Sequence, residues 1–119
     1  MLGDKFCVRC IVLNQNSQLT AQSPLYIIDF KMKILHTADW HLGINLYNES
    51  LEEDHRLFIS WLLNTCIPEH KPDALLIAGD IFDKANPPTY ARQQYYQFLA
   101  QLIPLGIRKI IIIAGNHDS

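Results

Sequence analysis

Cysteine is scarce in this chain and unevenly spread. There are three, Cys7, Cys10 and Cys66. An odd number without regular spacing argues against the disulfide framework of a small secreted domain. Cys7 and Cys10 form a C-x-x-C pair, but no histidine precedes His36 and no second cysteine pair follows. A zinc site therefore lacks its remaining ligands. A redox motif would need a strand before the pair and a helix after it. We read the two as incidental thiols. Apolar runs of bilayer length are absent, and so is the signal-peptide order of basic start, apolar stretch and small-residue cleavage site. These absences predict a soluble, cytoplasmic protein with no membrane partner. A basic surplus is missing too: the formal net charge is -2. Composition alone thus gives no sign of a nucleic-acid surface, although a local patch is compatible with it. Repeats of solenoid type and low-complexity tracts are also lacking. What remains is an ordinary globular balance, 49% hydrophobic and 18% charged over 119 residues, enough for one domain with a core.

The pattern changes at Met32. Residues 1–31 have mixed polarity and no sustained period, and are rich in Gln, Asn and Ser through "NQNSQLTAQS". We read them as an N-terminal extension or, preferably, as an upstream start assigned in error, because a strand begins directly at Met32. "MKILHT" has the length and β-branched content of that strand, and "ADWHLGINLYNES" reads as a loop. Ser50 with Glu53 three residues later forms an S-x-x-E capping box, and Glu52, Glu53 and Asp54 put negative charge in the first helical turn. Leu51, His55, Phe58 and Leu62 follow at helical spacing, with Leu57 and Trp61 widening the apolar stripe. Pro68 and Pro72 mark the helix end. "DALLIAGD" is a second strand, apolar at every position from Ala74 to Ala78, as in a parallel sheet covered on both faces. A second helix starts near Thr89 and carries Ala91, Tyr95, Phe98, Leu99 and Leu102 on one side. Gly106 ends it, and "RKIIIIA" is a third strand whose isoleucines are expected deep in a core. The fold class is α/β: β-α-β-α-β with a parallel sheet and right-handed crossovers.

Each strand runs into polar residues. The first meets Asp39 and His41, the second Asp80 and Asp83, the third Asn116, His117 and Asp118. In an open parallel sheet the carboxyl ends of neighbouring strands lie side by side, and ligands bind there. Clustered carboxylates repel one another, and a cation relieves that repulsion. Oxygen and imidazole donors without thiolate suit manganese, iron or zinc rather than calcium. Asp39 and His41 are two apart, so an extended segment would point both side chains the same way. Gly79 and Gly115 each precede a ligand candidate, which fits a tight turn out of a strand.

D-x-H, G-D-x-x-D and G-N-H-D, present here as "DWH", "GDIFD" and "GNHD", resemble the opening half of the calcineurin-like metallophosphoesterase signature. More narrowly, "MKILHTADWHLG", "DALLIAGDIFDKANPP" and "IIIAGNHDS" resemble the SbcD family of bacterial SbcCD nucleases, relatives of the eukaryotic double-strand-break repair nuclease. The likeness covers Met32 to Ser119. It implies that Asp39 and His41 bind a first metal, that Asp80 bridges two metals, and that Asn116 binds the second. His117 would face the scissile phosphate as proton donor or charge stabiliser, with Asp118 orienting its imidazole. The cofactors implied are two divalent ions, manganese foremost. The activity implied is hydrolysis of DNA phosphodiesters at double-strand ends, hairpins and single strands, in recombination, replication and repair. The partners implied are DNA, an SbcC-like SMC-type ATPase and a second copy of the chain.

One departure matters. The family supplies further histidines in a G-H and a G-H-x-H, and neither motif occurs in this sequence. Residues 32–119 therefore read as the incomplete N-terminal part of the nuclease domain, and the 119-residue chain is expected to be inactive. The alternatives are a metallophosphoesterase acting on nucleotides or small phosphodiesters, and a non-functional truncated product. Blander readings apply to single residues. Asp80 and Asp83 alone would read as a turn and cap pair, and Asp83 as a brace for the loop. Trp40 either packs or stacks on a base. His36 reads as a packed core residue, and His55 and His70 as solvent-facing or partly packed. Tyr95 suits the core, and Tyr96 suits a partner surface.

Overall fold

The computed structural model describes residues 7–15 and 30–115. A four-stranded sheet, ordered β1-β2-β5-β6, forms the scaffold. Its strands are β1 (Cys7–Gln15), β2 (Phe30–Ala38), β5 (Ala74–Gly79) and β6 (Lys109–Ala114). The two short strands β3 (Asn45–Leu46) and β4 (Glu49–Ser50) make a separate hairpin within the segment that reads as a loop. Its two turn residues, Tyr47 and Asn48, both have positive φ (52° and 65°), the geometry that matches strand twist in a two-residue hairpin. β2, β5 and β6 are parallel, as the strand-helix alternation predicts.

β1 is the element that the sequence reading missed. It runs antiparallel to β2 over its whole length, from Cys7 opposite Ala38 to Gln15 opposite Phe30. Val8, Ile11 and Val12 supply the β-branched content of a strand. β2 likewise starts at Phe30, two residues before the expected Met32.

α1 (Glu52–Trp61) continues through a π-helical turn, Leu62–Cys66, into the short α2 (Ile67–His70). The expected end at Pro68 is thus passed. In a regular helix Pro68 would leave the Asn64 carbonyl without its amide, and its ring would crowd that oxygen. The wider turn, in which the Ile67 N–H donates to Leu62 O, makes room for it. The helix ends two residues later, where Lys71 turns left-handed at φ 49°. The capping box does not form either. The Ser50 hydroxyl accepts from the Glu52 N–H at 3.1 Å, while Glu53 turns away to pair with Arg56. α3 (Thr89–Leu102) runs as expected and ends through Gly106 at φ 77°.

Both crossovers step in the same direction along the sheet. Right-handed connections then set α1 and α3 on one face. Burial agrees with this. Leu35, Thr37, Leu75 and Ile77 on that face are fully buried and pack with Phe58, Leu62, Phe98 and Leu102 from the helices. Their neighbours on the opposite face, Ile34, His36, Leu76 and Ala78, are only half-buried. The expectation of two covered faces fails most clearly at β6. Ile110, Ile111, Ile112 and Ile113 are 39–54% exposed. β6 is the sheet's edge, and nothing among the described residues covers its outer side. No helix among the described residues is long and apolar enough to cross a membrane.

Candidate metal centre

At the carboxyl end of the sheet the backbone weaves the first two strand exits together. Asp39 N–H donates to Ala78 O (3.0 Å), His41 N–H to Asp80 O (3.0 Å) and Leu42 N–H to Ile81 O (2.8 Å). Asp83 N–H returns a bond to Leu42 O at 3.0 Å. Asp39 and Asp80 are therefore held side by side, and the Asp80 amide donates to Asp39 Oδ1 at 3.3 Å.

Glycine makes this closeness possible. A β-carbon on Gly79 would collide with the Asp39 carboxylate, and the position has φ +77° besides. A β-carbon on Gly115 would collide with the Asp80 carboxylate and lie 2.7 Å from the Asp80 nitrogen. The tip of β2 thus rests over that of β5, and the tip of β5 over that of β6. Asn116, His117 and Asp118 follow Gly115 and lie outside the described residues.

The Asp39–His41 segment is not extended, so the alternation argument for these two side chains does not apply. Both residues sit in the left-handed region, at φ 56° and 52°. Aspartate and histidine tolerate that region better than most residues, but it is still disfavoured. Trp40, between them, is 1% exposed, so it packs and is not available to stack on a base. Its ring meets Phe58 of α1 and Phe98 of α3 edge-on, with centroids 5.5 and 5.1 Å away. Its indole N–H donates to Thr37 Oγ1 at 2.7 Å.

Two residues near the site were undervalued by sequence reasoning. Asp83 Oδ1 lies 3.4 Å from His41 Nδ1, so it does more than brace its loop. At that distance the carboxylate is a close neighbour of the imidazole without hydrogen-bond geometry. His55, expected at the surface or partly packed, is 1% exposed beneath the loop. Its Nε2 is 2.6 Å from Trp40 O. The signal for burial was present: His55 precedes Phe58 and Leu62 on the helical stripe. His36 and His70 are half-buried, His36 on the open sheet face rather than in the core. Tyr95 is buried and Tyr96 exposed, as expected.

Among the described residues, no three Asp, Glu, His or Cys side chains gather closely enough to hold a metal by themselves. Asp39, His41 and Asp80 do supply two carboxylates and an imidazole on adjacent tips, with glycine beneath each carboxylate. That is a partial donor set, and its chemistry fits a divalent cation.

Comparisons with known proteins identify the family. Residues 32–119 match the calcineurin-like phosphoesterase family. Over 88 residues, 74% of this chain, the sequence is 49% identical to the D component of the SbcCD nuclease of Escherichia coli K12. It is 46% identical over 88 residues to the Bacillus subtilis protein of that name, and 44% identical to the one from Rhodobacter capsulatus. The matched stretch spans 22% of each of these relatives. With more than half of its length matched, the chain belongs to the calcineurin-like phosphoesterase family.

Proposed function

We propose that residues 32–119 are the first part of the catalytic domain of an SbcD-type nuclease, with Cys7–Gln15 adding an edge strand to its sheet. The reaction is metal-dependent hydrolysis of DNA phosphodiesters, and manganese is the proposed ion. Asp39 and His41 hold a first ion, Asp80 bridges to a second, and Asn116 binds the second. His117 faces the scissile phosphate and moves a proton or stabilises charge, with Asp118 orienting its ring. Asp83 lies beside the His41 ring. A pair of divalent ions, when bound, supplies charge neutralisation for the phosphodiester and a nucleophilic water at neutral pH. The partners proposed are DNA, an SbcC-like ATPase and a second copy of the chain.

The observation that carries this reading is the pairing of Asp39 and Asp80 on adjacent tips above Gly79 and Gly115. The likeness to the SbcCD nuclease components supports DNA as the proposed substrate. The downstream histidine motifs of the family do not occur in this sequence, so the 119-residue chain alone is expected to leave DNA uncut. The test is a chimera in which residues 32–119 replace the matching stretch of the Escherichia coli relative. It should cut linear duplex DNA with manganese, and its Asp80→Asn form should not. Cleavage of small phosphodiesters without cleavage of DNA would overturn the substrate assignment. Cleavage undiminished by Asp80→Asn would overturn the metal assignment.

A further inference from the structure

We infer that His55 is a positioning residue for the metal-binding loop, a role that rests on the metal reading above. Asp39 and His41 both occupy left-handed backbone, which is disfavoured for each of them. Something must hold the loop in that shape. The sheet side is accounted for: the amides of Asp39, His41 and Leu42 all donate to the chain leaving β5. The Trp40 carbonyl is engaged from the helix layer instead. A buried carbonyl without a donor is costly, so its partner matters.

That partner is the imidazole of His55, whose Nε2 lies 2.6 Å from Trp40 O. A carbonyl only accepts, so this contact requires the proton on Nε2. An imidazole protonated on Nε2 offers only a lone pair at Nδ1, so Leu51 O, 3.0 Å away and already accepting from the His55 amide, packs against the ring edge without a hydrogen bond. His55 thus ties the first turn of α1 to the residue between the two ligands. The Trp40 indole is pinned independently by Thr37 and by Phe58 and Phe98. Packing fixes where Trp40 sits, and the imidazole fixes which way its peptide faces. Rotation of that peptide would change φ of His41 directly and turn its ring away from Asp83.

Two variants separate positioning from simple packing. His55→Phe keeps a ring of similar size but has no donor. His55→Gln keeps an N–H donor on an unbranched side chain. Native-state amide exchange is followed at Asp39, His41 and Leu42, with Leu75 and Ile77 in β5 as internal reference. In His55→Phe the loop amides should exchange about tenfold faster relative to β5, and His55→Gln should recover most of that protection. Equal loosening of loop and sheet, or no recovery with glutamine, would overturn the proposal. If His55→Phe fails to fold, wild-type imidazole nitrogen shifts decide, because an Nε2 without its proton sinks the idea. Manganese titration of the Escherichia coli chimera described above, carrying the same two substitutions, adds a second arm. Its midpoint should weaken by about tenfold in His55→Phe and recover in His55→Gln, the size of effect that outer partners of metal ligands have. Unchanged manganese affinity with faster loop exchange would overturn the link to the ligands. If the unsubstituted chimera binds no manganese while the exchange pattern is as expected, the metal reading fails and the loop anchor stands.

Discussion

Gly79 and Gly106 share one backbone angle, φ +77°, and differ in what surrounds them. An alanine at Gly106 would meet nothing within 4 Å, whereas at Gly79 it would strike the Asp39 carboxylate. Gly106→Ala should therefore show the backbone penalty alone, about 1 kcal/mol. Gly79→Ala should lose more, up to about 3 kcal/mol, and should displace Asp39 as well. Urea titration of both variants checks the difference, and equal losses would deny the contact its role. Cys66 behaves differently. Burial, with smaller contributions from Cys10 and Glu69, pushes its thiol up from near 9 to about 11. The thiolate is the reactive form, so in a chain lacking Cys7 and Cys10 a disulfide reagent at about pH 8 should label Cys66 only as fast as the protein unfolds. Below pH 9 the thiol is neutral in folded and unfolded chains alike. Between 9 and about 11 the unfolded chain ionises first, so stability should fall with rising pH across that window. At this scale the adjacency of Asp39 and Asp80 was legible because strand-end chemistry stands out in a linear text. The left-handed angles of Asp39 and His41 were not, since no local residue pattern announces them.

Helix boundaries follow the same division. α3 was readable from its apolar spacing and the glycine beyond it. The end of α1 was misjudged, because Pro68 breaks a regular helix and here falls just past a widened turn. The start of α1 also departs from the motif written in its sequence. Ser50 Oγ accepts from Glu52 N–H and sits 3.1 Å from the Tyr90 hydroxyl, joining α1 to the start of α3. Ser50→Ala should then destabilise by about 0.5–1 kcal/mol, the range of a lost cap. Glu53→Gln, at a fully exposed ion pair, should leave the denaturation curve unchanged within error. The reverse order of effects would restore the capping box. β1 escaped notice for a different reason: its β-branched residues are interrupted by Arg9 and by two thiols that drew attention to metal and redox chemistry.

For the molecule as a whole, the parallel α/β plan followed from element order, and the helix layer from the handedness of crossovers. What could not be read was the coverage of the other face. An isoleucine run reports affinity for a covered environment, not the presence of a cover. With Ile111 and Ile113 at 44% and 54% exposure on an edge strand, the chain should self-associate as its concentration rises. Ile113→Lys should raise the monomer fraction in sedimentation velocity with little change in melting point. Ile77→Lys, at a fully buried site, should instead unfold the protein. A monomeric wild type at high concentration would contradict the first expectation. The adjacency of the strand tips carries a last consequence. Their separation is one step of the peptide ladder, about 4.8 Å, and belongs to the main chain rather than to any interior side chain. Swapping leucine for methionine or isoleucine below the sheet should then alter heat resistance while the strand tips keep their spacing. Durability and chemistry are free to evolve on separate schedules.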